Sequence, residues 1–451
     1  MLYEAHYVNQ SNLLNPAVQS SCKWYVGLPA ISSFHYNYAN SFFKANQIND
    51  VNSIVAQSHR RNHIDSELHV TLFAIGRKYK EWYFNFTLTE KNNAPATISK
   101  DMLELGLNGN SQFEGETAEW KGSGVYFNHY REYAFGASYR YRSDLTIGAK
   151  GKLLFGKLNA TTRATNIGLH TDANSFDLEF TGDANINASM PITINQDPSG
   201  YITGITVNDD INFTELALNR KNPGFALDFG AIKRMDKDWT ISASVLDIGL
   251  IRYRSNLNHV TINTQVSFDG VNDNLENVTL EDYLNDSIQY QVTTDKPYTF
   301  WMAPQIIVGS SYQLMPDLKA STVFYNKIYA TKLITRLNFS LDYNPYGYIH
   351  LLAGYTFQNY EFNNFGAGVA LGNHPIQFYV FSDNVHGLIW PLRTRNINLR
   401  FGLNVNLGCR LKVVKPDKSG IGALPCPNIF QRKNKNQVEE ESKRKRILEK
   451  K

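Results

Sequence analysis

The sequence predicts an all-β protein: an antiparallel transmembrane β-barrel of about 14–16 strands, with its N-terminal segment plugging the lumen. Three observations carry that prediction. The segment Ile397–Leu407 reads I-N-L-R-F-G-L-N-V-N-L. Successive side chains of a strand point to opposite faces. Ile397, Leu399, Phe401, Leu403, Val405 and Leu407 therefore share one face, and Asn398, Arg400, Gly402, Asn404 and Asn406 the other. About eleven residues is what a tilted strand needs to cross a bilayer. Second, the alternation recurs along the chain, and charges keep to the parity opposite the apolar residues. A charge facing mid-bilayer costs about 2–4 kcal/mol in a barrel, whereas one facing the lumen costs little. Third, tight turns alternate with long polar connections, as at the two ends of an outer-membrane barrel.

Composition agrees. The chain has 451 residues, with 26 Tyr and 26 Phe, yet only 19% are charged. A mean hydropathy of −0.36 fits a barrel, in which only alternate residues face lipid. No apolar run approaches the roughly 18 residues of a transmembrane helix. The soluble alternative is a β-sandwich, but strands of nine or more residues exceed the usual five or six or so of such folds. The start, Met-Leu-Tyr-Glu-Ala-His, has neither the basic nor the apolar stretch of a signal peptide. An exported protein needs one, so the chain reads as a mature form.

Residues 1–22 form the expected plug or hatch. Pro16 fixes φ and cannot donate to a ladder, so Asn15-Pro16-Ala17 is a turn and not a wall strand. The alternative is a periplasmic leader. Residues 23–408 form the barrel. Alternation is clear over Phe84–Leu88, Phe225–Phe229, Leu337–Tyr343 and Ile349–Phe357. Turns fall at Arg142-Ser143-Asp144, Met235–Asp238, Met315-Pro316-Asp317, Asn344-Pro345-Tyr346 and Asn373-His374-Pro375. The long connections are 38–63, 90–122 and 253–298, with a short helix expected over Lys100–Gly106. Trp24, Trp82, Trp239 and Trp301 open predicted strands, where an interfacial aromatic girdle would lie. One place breaks phase. His129 and Arg131 share the outward parity of Tyr133 and Phe135, which predicts a bulge near Glu132 or an Arg131 above the hydrocarbon. Residues 409–451 form a basic periplasmic tail. Positions 410–451 hold 13 Lys/Arg against 5 Asp/Glu, so the body is mildly acidic within a net charge of +4.

Parity assigns Arg140, Lys150, Lys152, Asp228, Asp342 and Arg400 to the lumen. Their mixed signs suggest internal salt bridges or a plug anchor rather than an ion-selective ring. Cys409 and Cys426 bracket the end of the last strand and are the candidate disulfide, leaving Cys22 over; free thiols are the alternative. No metal or other cofactor is expected. The spacing His59…His63 would suit a metal only on a helix, and two arginines lie between. Asp269–Asn274 is acidic but lacks the EF-hand spacing. His129, His350 and His386 are scattered without a nucleophile motif, so no catalytic residues are assigned and the chain is not read as an enzyme. The basic tail accompanies no DNA-binding motif, and nucleic acid is not an expected partner.

Leu14-Asn15-Pro16-Ala17, Tyr25–Ala30, His129–Tyr133 and Lys152–Gly156 resemble segments of an uncharacterised outer-membrane barrel family of Bacteroidota, a domain of unknown function. More distantly, Asn15-Pro16-Ala17 is similar to the hatch of fatty-acid transporter (FadL-like) barrels; the PorV/PorP-like barrels of type IX secretion are a related comparison. The resemblance implies a fourteen-stranded barrel with residues 1–22 folded into the lumen. The basic C-terminal extension departs from it. Asp286-Ser287-Ile288 also resembles a short Bacteroidota O-glycosylation acceptor.

Two functions follow. The first is a non-enzymatic accessory or structural subunit of a surface or secretion complex, docking through its long loops and tail. The alternative is a FadL-like barrel transporting a hydrophobic small molecule past its N-terminal hatch. Either places the chain in the bacterial outer membrane with both termini periplasmic. Its partners would be outer-membrane lipid and lipopolysaccharide, and for the first reading secretion or surface-assembly proteins.

Overall fold

A computed structural model describes residues 1–198, 202–207, 214, 218–268, 290–329, 332–358, 364–372 and 374–409. The tail 410–451, Asp269–Asn274, Asp286–Ile288 and Cys426 lie outside the described residues. Alternating side chains build one closed antiparallel ring of fourteen wall positions. The first comprises β1 (Cys22–Gly27) and β2 (Ser33–Asn40), followed by the returning β3 (Arg61–Tyr79). Next come β4 (Trp82–Asn93) with β5 (Ala96–Ser99), then β6 (Thr117–Glu119) with β7 (Gly124–Arg140). The long β8 (Leu145–Thr171) follows. Its far half pairs β9 (Leu178–Ser189), and a side hairpin of β10 (Ile192–Gln196) and β11 (Ile202–Val207) intervenes. Its near half pairs β12 (Asn222–Arg234).

The ring continues through β13 (Trp239–Tyr253) with β14 (Leu257–Phe268). Then come β15 (Tyr290–Thr293), β16 (Tyr298–Trp301) and β17 (Gln305–Met315), sharing one position. Hairpin-linked β18 (Leu318–Ile328), β19 (Leu333–Tyr343), β20 (Ile349–Phe357), β21 (Phe365–Leu371) and β22 (Ile376–Ser382) complete most of the wall. The last, β23 (Asn396–Cys409), pairs with both β1 and β2, closing the ring and leaving no open edge.

Cys22 and Cys409 are register partners at this seam and are disulfide-bonded. This corrects the expected Cys409–Cys426 pair: closure makes residue 22 the neighbour of residue 409, whatever their distance along the chain. The short turns and Cys22 lie at one end, here the near end. The Lys100–Asn108 helix lies beyond β5 at the other; Ser99 accepts from Met102 N as its N-cap. His59 and His63 share no helix turn, because β3 already begins at Arg61.

Apolar side chains form an outward belt, with Phe84, Phe135, Leu153, Phe225, Phe339 and Leu351 exposed around the ring. Trp82 and Trp239 open strands at the near end, as expected, but Trp301 closes β16 at the far side of the belt. The phase break is a β-bulge between His129 and Tyr130, opposite Lys157, which keeps Arg131 outward and Glu132 inward.

Candidate functional site

Residues 1–18 and a charged mid-wall network both contact inward side chains of the wall. Pro16 rests against Gly148 of β8 and Gly230 of β12, which are direct cross-strand partners. A Cβ on Gly148 would overlap the Pro16 carbonyl, and one on Gly230 would overlap Asn15 Oδ1. Two paired glycines thus make the niche that Asn15-Pro16-Ala17 occupies. Asn15 Oδ1 also accepts from Ala17 N (3.0 Å), closing the turn that Pro16 begins.

From there the segment reaches inward side chains on several sides. Ser244 Oγ donates to the Leu14 carbonyl (2.7 Å) and Ser242 Oγ to Glu4 Oε1 (2.6 Å). Lys319 Nζ donates to the Glu4 carbonyl at 2.8 Å, and the Tyr7 ring stacks on His350 with centroids 3.4 Å apart. Across the lumen, Asn9 Nδ2 donates to Asn406 Oδ1 and Asn404 Nδ2 to Gln10 Oε1, both at 2.7 Å. Gln377 Nε2 donates to the Tyr7 carbonyl (2.8 Å). Two residues on the polar face of the Ile397–Leu407 pattern, Asn404 and Asn406, thus bond this segment, with Gln377 of β22 beside them.

The charges occupy the next layer. Lys152 Nζ lies 2.7 Å from Asp228, 2.6 Å from Asp247 and 3.5 Å from Glu132. Lys91 Nζ adds a second bond to Glu132 at 2.8 Å. Asp247 is the extra residue of a β13 bulge opposite Asp228, and its φ of 59° lies in the left-handed region. Its backbone N donates to Asp228 Oδ1 (2.8 Å), so the bulge turns a residue of outward parity into a second carboxylate for Lys152. A further layer holds Lys327 paired with Glu67, and Arg336 3.4 Å from Asp65.

Of the residues assigned to the lumen, Lys152 and Asp228 meet directly. Lys150 stands beside them but donates to the Asn12 carbonyl (2.7 Å), joining wall to segment. Asp342 is inward but belongs to a separate group near Tyr7, with His350 Nδ1 at 2.9 Å and Lys319 Nζ at 3.8 Å. Arg140 is corrected: β7 ends there, so its side chain is 45% exposed at the near rim, 3.7 Å from Glu81. Lys91 and Glu132 were legible from strand parity alone. Asp247 was not, because its bulge defeats parity.

Between segment and network is a cavity of about 160 Å³. Leu2, Leu13, Leu14, Leu246, Ile307 and Val323 give it an apolar side. Facing that side is the inward Arg400 of β23, which makes no hydrogen bond or ion pair among the described residues. Every other lumenal cation named here has a carboxylate or carbonyl partner.

No curated protein matches the chain. Among solved structures it is similar to a TodX deletion mutant, a monoaromatic hydrocarbon channel, at 10% identity and TM-score 0.43, covering 89% of this chain and 94% of that one. It is also similar to the toluene transporter TbuX of Ralstonia pickettii, at 10% identity and TM-score 0.43, over 88% and 93% of the two chains. A Pseudomonas aeruginosa FadL homologue aligns at 9% identity and TM-score 0.35, over 88% and 92%. The sequence model of one family covers residues 16–383, and the chain belongs to that family, DUF5723, a family of unknown function.

Proposed function

We propose that the chain is a non-enzymatic outer-membrane barrel that takes a small amphipathic molecule into its lumen, with residues 1–18 acting as the hatch beneath it. The supporting observation is the cavity with one apolar side and an unpartnered Arg400 opposite. A cavity of about 150 Å³ is large enough for benzene, so a one-ring or short-chain molecule is the fitting size. A guanidinium without a carboxylate partner favours an acidic head group, which it can hold through two parallel hydrogen bonds. The outward apolar belt supports a bilayer setting, and the short turns at the near end support a periplasmic position for both termini.

The accessory-subunit expectation drew on the tail and on loop 253–298. The tail and much of that loop, residues 269–289, lie outside the described residues, and the cavity favours transport. The test is calorimetric titration of the full chain in detergent with benzoate and with benzyl alcohol. Benzoate should bind about tenfold more tightly, and Arg400→Met should erase that preference. Equal binding of the two by the unaltered protein would sink the proposal.

A further inference from the structure

A bar of side chains crosses the lumen towards its far mouth. Counting wall positions from β1 as the first, β18 is the ninth and β3 the second, so the two face each other across a ring of fourteen. Lys327 at the end of β18 nevertheless donates to Glu67 of β3. Lys332, just beyond, donates to the Ile64 carbonyl of β3 at 3.2 Å. Tyr329 turns the other way and packs edge-on against Tyr126 of β7, with centroids 5.1 Å apart. The Tyr126 ring also meets Phe300 of β16 at 4.4 Å, and its hydroxyl donates to the Trp301 carbonyl. One strand end is thus tied to two distant parts of the wall.

Three spaces meet at this bar. The outermost, about 90 Å³, is lined by Val125, Arg163 and Lys332 among others. The next is only about 20 Å³. The third is the cavity of about 160 Å³ that holds Arg400. Tyr126 and Tyr329 line both of the first two, so their rings are the partition between them. His69, Lys91, Asp247 and Gln305 line both of the last two. Lys327 lines the middle space and Glu67 the cavity, so their ion pair stands at the inner boundary. The middle space has room for about one water. A molecule of one ring or a short chain passes only if the bar parts.

Charge decides what can part it. Each space carries a cation: Lys332 in the outer, Lys327 in the middle, Arg400 in the cavity. An incoming carboxylate can take the place of Glu67 on Lys327, leaving the buried ammonium paired throughout. A neutral molecule separates the same pair without replacing it, which strands a buried charge. We propose that the bar is a selective gate: the Tyr126 and Tyr329 rings part to admit a molecule from the far mouth, and Lys327 favours acids by exchanging Glu67 for the molecule's own carboxylate. The gate rests on the transport reading above and assigns its selectivity at entry to a residue outside the Arg400 cavity.

Val323 lines the cavity, so a Val323→Cys chain in detergent reports what reaches it. Alkylation at that position is timed by peptide mass spectrometry with iodoacetate and with iodoacetamide, each scaled to its rate on free cysteine. Cys22 and Cys409 stay blocked while the ring is closed, which exposes any misfolded variant. Adding Tyr126→Ala should quicken both reagents about tenfold, whereas Tyr126→Phe, which keeps the ring, should not. Glu67→Gln frees Lys327 and should quicken iodoacetate alone. An unchanged rate in Tyr126→Ala would overturn the gate, and an equal change of both reagents in Glu67→Gln would overturn selection by Lys327. Excess benzoate should slow labelling of the Val323→Cys chain by filling the cavity. No such protection would overturn the transport reading, on a readout separate from that of the gate.

Discussion

The N-terminal segment and the mid-wall network both meet inward side chains of the wall, but different chemistry holds them. Besides the apolar packing of Met1, Leu2, Ala5 and Val8 and the Met1 ammonium 3.2 Å from Asp383, the segment is held by neutral amides, hydroxyls and carbonyls: Asn9 on Asn406, Asn404 on Gln10, Gln377 on the Tyr7 carbonyl. Each such bond contributes about 1 kcal/mol net, and water can replace it. The network is held by Lys152 among three carboxylates, where losing one partner strands buried charge. Breaking such a pair costs about 3–5 kcal/mol. The difference teaches that this barrel fixes its wall with bonds that cannot be exchanged for water. It seats its segment with bonds that can.

Lys152→Met attacks the wall and should have the largest effect. It leaves Asp228, Asp247 and Glu132 short of a cation and should lower the unfolding free energy by about 3–5 kcal/mol, read from urea unfolding in lipid vesicles. Adding Asp228→Asn should restore part of the loss; no recovery would mean the two do not act as a pair. Gly230→Val attacks only the seat of the segment. Overpacking against Asn15 and Pro16 should weaken docking by about 1–3 kcal/mol while the wall keeps its stability. Limited proteolysis should then cut within residues 1–18 at a barrel-protective protease dose. A wall that unfolds with the segment would erase the contrast.

The smallest effect is of pH. Burial pushes the His6 imidazole below its ordinary value; Glu4 opposes that shift and Lys319 reinforces it. A depressed folded pKa means the docked segment holds His6 neutral. Docking should be at full strength above the free imidazole value of about 6.5 and weaken as pH falls below it. Proteolysis of residues 1–18 should therefore quicken between pH 7 and 5 or so, and His6→Gln should flatten the profile.

Strand parity made the wall legible, including the inward Asn404 and Asn406 of β23 and the inward Lys150, Lys152 and Asp228. It failed where the backbone leaves the two-residue repeat: Asp247 faces inward only because its bulge adds a residue. It also failed at Arg140, since parity gives the face and not the depth at which a strand ends. The cysteines show a third gap. Sequence proximity favours Cys426 for Cys409, whereas ring closure selects the residue nearly the whole chain away. The glycine niche could have been read only by knowing that Gly148 and Gly230 are cross-strand partners.

The Cys22–Cys409 bond can form in register only after the first and last strands have met. Its oxidation is therefore a chemical record of assembly. In a population of chains, the share of these two thiols that resists alkylation counts the molecules whose circle is complete, without any assay of what the barrel carries.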